Sequence, residues 1–256
     1  MFKRILLYLT IFYVGFGLFL YSKQDGLLFY PTEKLNIADV RVQSFTNQNQ
    51  TIKSFVLNPG LDDAIVYFAG NAESVGMLTN FYRHIIPNKT IYLINYRGYG
   101  GSTGEPSEQA FFSDALHIYD QIKSQHHKIS IIGKSLGSGV AVYLASQREI
   151  FKLVLITPFD SITSLAQEKF PFFPVGWVIR NKFDSMQYAK QIKAEVLVFI
   201  AENDQIIPLK HSDKLLQVLP NKQSHYLKDT NHNSLTNSSE YSQLLVQFFQ
   251  QQKPRE

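Results

Sequence analysis

A strand that turns straight into a helix at a serine flanked by glycines leaves a chain few folds to choose from. The stretch Lys128-Ile-Ser-Ile-Ile-Gly-Lys-Ser-Leu-Gly-Ser-Gly-Val-Ala141 has that form. Ile129 to Ile132 reads as a short buried strand, and Gly133-Lys-Ser-Leu-Gly137 as a tight turn. Gly139 and Ala141 then open a helix whose small residues let it pack closely on a sheet. A G-x-S-x-G turn in this setting forces its serine, Ser135, into a strained backbone conformation, with the hydroxyl standing at the strand's carboxyl end. The plain alternative is a glycine-rich β–α turn carrying an ordinary serine. What separates the two is whether the rest of the chain supplies a base, an acid and N–H donors in the right order.

The 256 residues flanking and including this stretch alternate strands with helices from about residue 64 onward. Ala64–Ala69, Thr90–Asn95, Lys152–Ile156, Glu195–Ala201 and Gln223–Lys228 read as strands, with helices near 72–84, 107–124, 209–219 and 238–251. Val40–Phe45 and Thr51–Leu57 read as a preceding hairpin, and Leu27–Tyr30 as a first edge segment. The pattern predicts a mostly parallel sheet covered by helices on both faces, with a site at the strands' carboxyl ends. Residues 158–184 break the alternation and hold Phe159, Phe170, Phe172, Phe173, Trp177 and Phe183. This segment is expected to form a small inserted cap that covers the site and takes an apolar group, the alternative being plain core packing.

Before the sheet, an apolar run from Ile5 to Tyr21 follows Lys3 and Arg4. As a helix it spans about 25 Å, near the short limit for crossing a bilayer. The basic pair places the amino terminus in the cytoplasm and the rest of the chain on the non-cytoplasmic side. A cleaved signal peptide and a buried helix are the rivals; the length of the run and the absence of a small-x-small site after it favour an uncleaved anchor. The expected organisation is a single-pass anchor over 1–25 and one α/β domain over 26–256. An apolar content of 45% supports a sizeable core, and the net charge of +4 comes from scattered lysines and arginines, which argues against nucleic-acid binding. With no cysteine in the chain, thiol nucleophiles, disulfides and cysteine-held metals are excluded.

A serine hydroxyl needs a base, and the base needs a carboxylate to fix its tautomer. Of seven histidines, His232 lies in the polar loop between the last strand and last helix, where it can reach a serine at the centre of the sheet. Asp204, immediately after the penultimate strand, is the acid expected from the chain order serine, acid, histidine. Glu202 and Asp160 are competitors, and Asp204 as a helix cap is the bland alternative. The N–H donors for an oxyanion are expected from Leu136, next to the nucleophile, and from Asn71 in the Gly70-Asn71-Ala72 loop. Arg97, in the glycine-rich loop after the second parallel strand, either orients an anionic group or fixes that loop.

Ala69-Gly-Asn-Ala72, Asn95-Tyr-Arg-Gly-Tyr-Gly-Gly-Ser-Thr-Gly-Glu-Pro-Ser-Glu108, Gly133-Lys-Ser-Leu-Gly137, Thr157-Pro-Phe-Asp-Ser161, Asp204-Gln-Ile-Ile-Pro208 and Asn231-His232 occur in that order. Through them the chain from about Leu27 to Phe249 resembles the α/β-hydrolases. Within these it is similar to the membrane-anchored serine hydrolases that include the bud-emergence-type proteins and their animal depalmitoylase relatives. The resemblance implies Ser135, Asp204 and His232 as nucleophile, acid and base, with Asn71 and Leu136 as oxyanion donors. It departs at Ala69, where that family has His-Gly before the oxyanion residue, and in lacking a cysteine-rich segment for lipid attachment. The function expected is hydrolysis of a carboxylic ester or thioester through an acyl-enzyme, on a hydrophobic acylated small molecule, without metal or cofactor. An amidase or aminopeptidase using Glu105 or Asp160 to hold an amine, and a non-catalytic membrane-tethered binding protein, are the rivals.

Overall fold

In the computed structural model, which describes residues 1–251, the chain opens with helix α1 (Phe2–Leu28). The sheet strands are β1 (Arg41–Asn47), β2 (Gln50–Leu57), β3 (Asp63–Phe68), β4 (Thr90–Ile94), β5 (Lys128–Lys134), β6 (Lys152–Ile156), β7 (Glu195–Ala201) and β8 (Lys222–Leu227). Between and after them come α2 (Thr79–Ile85), α3 (Glu108–Ile122), α4 (Leu136–Gln147), α5 (Ile162–Lys169), α6 (Val175–Val178), α7 (Ser185–Ala189), α8 (Leu209–Val218) and α9 (Ser239–Gln250).

The eight strands form one sheet in the order β1-β2-β4-β3-β5-β6-β7-β8. The β1–β2 and β2–β4 ladders are antiparallel, and every ladder from β4 to β8 is parallel. Strands β4 and β6 are buried along their whole length, and β3 and β5 in all but their first residue. This is what near-continuous Ile, Val and Leu runs dictate when helices cover both faces of a parallel sheet. Ser135 follows β5, so the serine turn lies at an interior strand.

Two local expectations are corrected. Leu27–Tyr30 is not an edge strand: Leu27 and Leu28 complete the last turn of α1. Phe29, 4% exposed, then enters the core, its ring 5.4 Å from that of Phe111 and 6.3 Å from that of Phe183. Nor is 72–84 one helix. The Glu73 carboxylate folds back onto the Gly70 N–H at 2.9 Å, so the backbone forms a loop and a short 3-10 turn (Val75–Leu78) before α2 begins.

Helix α1 is the one described helix long and apolar enough to cross a membrane, and none of its residues is buried. From Tyr13 onward it is nonetheless fastened to the 158–184 excursion. The Tyr13 hydroxyl donates to the Phe172 carbonyl at 2.7 Å, and the Tyr13 ring stacks on Phe173 at 4.6 Å between centroids. Lower down, Arg180 pairs with Asp25 at 2.6 Å, and Asn181 donates to the same carboxylate at 2.7 Å. The excursion divides between the two roles weighed for it. Phe159 and Phe183 are core residues packed over Gly139, whereas Phe172 and Trp177 are exposed.

Candidate active site

Close packing at the end of β5 sets the serine. A Cβ at Gly133 would lie 2.4 Å from the Gly137 carbonyl oxygen, and one at Gly137 would lie 2.1 Å from that of Phe68. Both positions therefore exclude any side chain. Between them Ser135 takes φ 49°, ψ −117°, a conformation that costs an L-residue about 1–3 kcal/mol and persists only where the surroundings impose it. They do so through its N–H, which donates to the Ile156 carbonyl at 2.8 Å. The Ser135 carbonyl in turn accepts from the Ser138 hydroxyl at 2.6 Å.

The three residues expected to meet are in contact. Ser135 Oγ and His232 Nε2 lie 2.9 Å apart, and His232 Nδ1 and Asp204 Oδ2 lie 2.7 Å apart. Ser135 and His232 are 8% and 6% exposed, so bulk water competes little for these bonds. The second oxygen of Asp204 accepts from the N–H groups of Ile206 and Ile207 at 2.9 and 2.8 Å. Asp204 thus does shape the turn before α8, but with the oxygen that His232 does not use. Glu202 is exposed and accepts from the Asp229 N–H. Asp160 is occupied elsewhere, bonded to His211 Nδ1 at 2.8 Å and to the Ser161 N–H.

Asn71 and Leu136 line the same cavity as Ser135. Leu136 is the first residue of α4, where a backbone N–H has no partner within the helix. The Asn71 side chain does not cap the 3-10 turn or helix that follows it. Its Oδ1 accepts from the Tyr30 N–H and the Tyr99 hydroxyl, and its amide donates to the Leu28 carbonyl, tying this loop to the end of α1. Burial pushes the Tyr99 phenol up, which keeps it a donor.

One group went unread in the sequence. Glu73 bridges the Gly70 loop to the serine strand: Oε1 pairs with Lys134 Nζ at 2.6 Å, while Oε2 accepts from the Gly70 N–H and, at 2.8 Å, from the Tyr67 hydroxyl. Burial, with the Glu73 charge beside it, holds the Tyr67 phenol well above its usual range. A lysine ending a strand as apolar as Ile129–Ile132 was the available signal, since a buried ammonium requires a partner. Arg97 fixes its loop, making two bonds to Asp114 at 2.7 and 2.8 Å in a buried pair.

The cavity at Ser135 has a volume of about 730 Å³ and is walled by α1 on one side and by the 158–184 excursion on the other. Neither Glu105 nor Asp160 lines it. Among the described residues no group of His, Asp and Glu is arranged to hold a metal ion.

A mostly parallel eight-stranded sheet with a strained serine at the turn after an interior strand, and a histidine and aspartate from later loops beside it, defines the α/β-hydrolase class. The chain belongs to the α/β hydrolase fold family, which it matches over residues 54–182. It is 34% identical to the uncharacterized protein Rv2307c of Mycobacterium tuberculosis over 131 residues, half of this chain and 47% of that one. The chain thus spans about half the length of this mycobacterial relative. It is also 26% identical to Protein bem46 of Schizosaccharomyces pombe, with 90% of this chain and 87% of that one covered. In structure it is similar to the Pyrococcus furiosus esterase Pf2001, with a TM-score of 0.68 at 17% identity over 86% of this chain and 98% of the other; the likeness is one of fold.

Proposed function

We propose that this protein is a serine hydrolase, held to a membrane by α1, that cleaves a carboxylic ester or thioester through an acyl-enzyme. The observation that carries the reading is the unbroken contact from the Ser135 hydroxyl through His232 to Asp204 beside an apolar cavity. A carboxylate only accepts, so Asp204 selects the tautomer with hydrogen on Nδ1 and leaves the Nε2 lone pair facing Ser135. As Nε2 takes the hydroxyl proton, Oγ bonds to the carbonyl carbon and the carbonyl electron pair moves onto oxygen. The Leu136 and Asn71 N–H groups donate to that oxyanion. Collapse breaks the bond to the leaving alkoxide or thiolate, which takes the proton from the imidazolium. Water then repeats the sequence, releasing the acid and free Ser135.

Lys3 and Arg4, ahead of the apolar segment, favour a cytoplasmic amino terminus and a catalytic body on the opposite side. The 158–184 excursion serves as the cap over the site. An amine-holding peptidase finds less support, because Glu105 is exposed and outside the cavity and Asp160 is committed to His211.

The full chain in detergent is expected to hydrolyse p-nitrophenyl butyrate and to be labelled by a fluorophosphonate probe, with the adduct on the peptide containing Ser135. Failure of the wild type to label beside a known serine hydrolase that does would overturn the reading. Glu73 acts through the loop it holds and is a positioning residue. Glu73→Gln keeps an acceptor for the Gly70 N–H but loses the ion pair. It is expected to lower kcat by about tenfold while KM stays near the wild-type value, since a small misplacement of a donor acts on the transition state.

A further inference from the structure

The cavity beside Ser135 has an unusual wall: one whole side is the helix proposed to lie in the bilayer. Tyr13, Val14, Gly17 and Leu18 line it at one level and Leu27 and Leu28 at another. From Tyr13 to Leu28 the groove follows about 22 Å of helix, against a hydrocarbon core roughly 30 Å thick. Facing it are Ile162, Leu165, Ala166, Phe170 and Phe173 of the excursion. Among the described residues Lys169 is the only charged side chain in the lining, and the polar groups gather toward the carboxyl end of α1, at Gln24, Asn71, Ser135 and Asn181.

The outer surface is graded in the same way. Phe172 and Trp177, at 84% and 92% exposed, belong to the excursion and flank the part of it that meets α1 at Tyr13. A turn or two from the end of α1 the chemistry becomes polar and aromatic. Arg180 pairs with Asp25 and lies 5.3 Å from the Tyr21 ring, while the Arg180 N–H donates to Gln24 at 2.7 Å. That is the composition of a membrane–water boundary, with apolar surface on one side and Tyr, Arg and Asp at the other. Asn71, bonded to the Leu28 carbonyl, belongs to the loop beside the reactive serine, where a Cβ on Gly70 would sit 3.6 Å from that of Ser135, and so brings the site to the same level.

From this registry we infer that the substrate is a long-chain acyl ester of a bilayer lipid, which enters the groove between α1 and the excursion sideways from the membrane. Its chain stays at hydrocarbon depth along α1 while its ester carbonyl, at the level of the lipid headgroups, reaches Ser135. The inference rests on the serine hydrolase reading above. A lipid is favoured over an acylated polypeptide because the lining has one charged side chain and no row of polar groups along which a peptide backbone would be held. Hydrolysis gives the free fatty acid and the deacylated lipid alcohol, with water supplying the hydroxyl and the proton.

The test uses the full chain in phosphatidylcholine vesicles carrying a palmitoyl glycerol ester, with palmitate release read by mass spectrometry. Turnover of soluble p-nitrophenyl acetate is read in parallel. Gly17, whose added Cβ would sit 3.4 Å from the Phe173 ring, and Ala166 both line the groove. Gly17→Phe and Ala166→Trp are each expected to lower the ratio of palmitoyl to acetyl turnover at least tenfold. Fluorophosphonate labelling of both variants reports a folded centre. A ratio unmoved by either labelled variant overturns the inference, as does wild-type protein that cleaves the acetate but not the vesicle ester. An S-palmitoyl peptide cleaved faster than the lipid, with the same sensitivity to both variants, overturns the lipid assignment. Wild-type protein that neither labels nor cleaves the acetate instead overturns the hydrolase reading on which this one stands.

Discussion

Ser135→Ala is expected to lower kcat on p-nitrophenyl butyrate by about 10⁶-fold and to abolish fluorophosphonate labelling, while Asp204→Asn is expected to lower kcat by about 10⁴-fold. The gradation follows from the contacts. In the proposed mechanism Ser135 supplies the atom that forms the bond. Asp204 there supplies only the acceptor, 2.7 Å from His232 Nδ1, that would keep the lone pair of the other nitrogen aimed at the hydroxyl. An asparagine retains the oxygen that takes the Ile206 and Ile207 N–H bonds, so the turn is kept. Its amide, however, can donate to Nδ1 and favour the wrong tautomer. Stopped assays on the two purified variants, with melting curves to show that both fold, check this. Asp204→Asn within tenfold of wild type would remove Asp204 from the proposed triad.

Gly137→Ala is expected to destabilise the protein by about 3 kcal/mol or more, a downward shift of roughly 6–12 °C in Tm for a domain of this size. The added methyl would sit 2.1 Å from the Phe68 carbonyl oxygen and 2.6 Å from that of Ala69. Both are backbone atoms in and next to a buried central strand, so no flexible side chain can yield. Separating α4 from β3 is the remaining way to relieve the clash, and that would also unseat the serine turn. Gly15→Ala is the matched control: nothing lies within 4 Å of its added Cβ, and its Tm is expected to stay within a degree or two. Thermal unfolding in one detergent, followed by near-ultraviolet circular dichroism, distinguishes the two. Equal melting points would mean that the packing of α4 on β3 tolerates a methyl.

What could be read from the chain beforehand was what recurs locally. Lys152–Ile156 and Glu195–Ala201 end in the structure where their apolar runs end, because buried parallel strands carry their whole signal in consecutive side chains. Ser135, Asp204 and His232 could be placed because each follows a strand in a polar or glycine-rich turn, and the parallel sheet sends all such turns to one edge. Contacts between distant segments leave no such mark. Nothing periodic announces that Tyr13 stacks on Phe173 or that Phe29 ends among Phe111 and Phe183. The Glu73 bridge was hidden for a different reason. Residues 72–84 have a helical composition, and only the tertiary demand of Lys134 and the Gly70 N–H pulls Glu73 into a loop.

The passage from α1 to the body is abrupt: Leu28 closes the helix, Phe29 is already in the core, and the Leu28 carbonyl holds Asn71. An enzyme on a slack leash tumbles above its membrane and sweeps out a volume. Here no slack residue separates α1 from the body, so if α1 is embedded as proposed the body would be denied both tumbling and reach, and its tilt would become a property of the fold. Encounters with substrate would then be counted per unit area of one leaflet, and lateral diffusion would take the place of stirring.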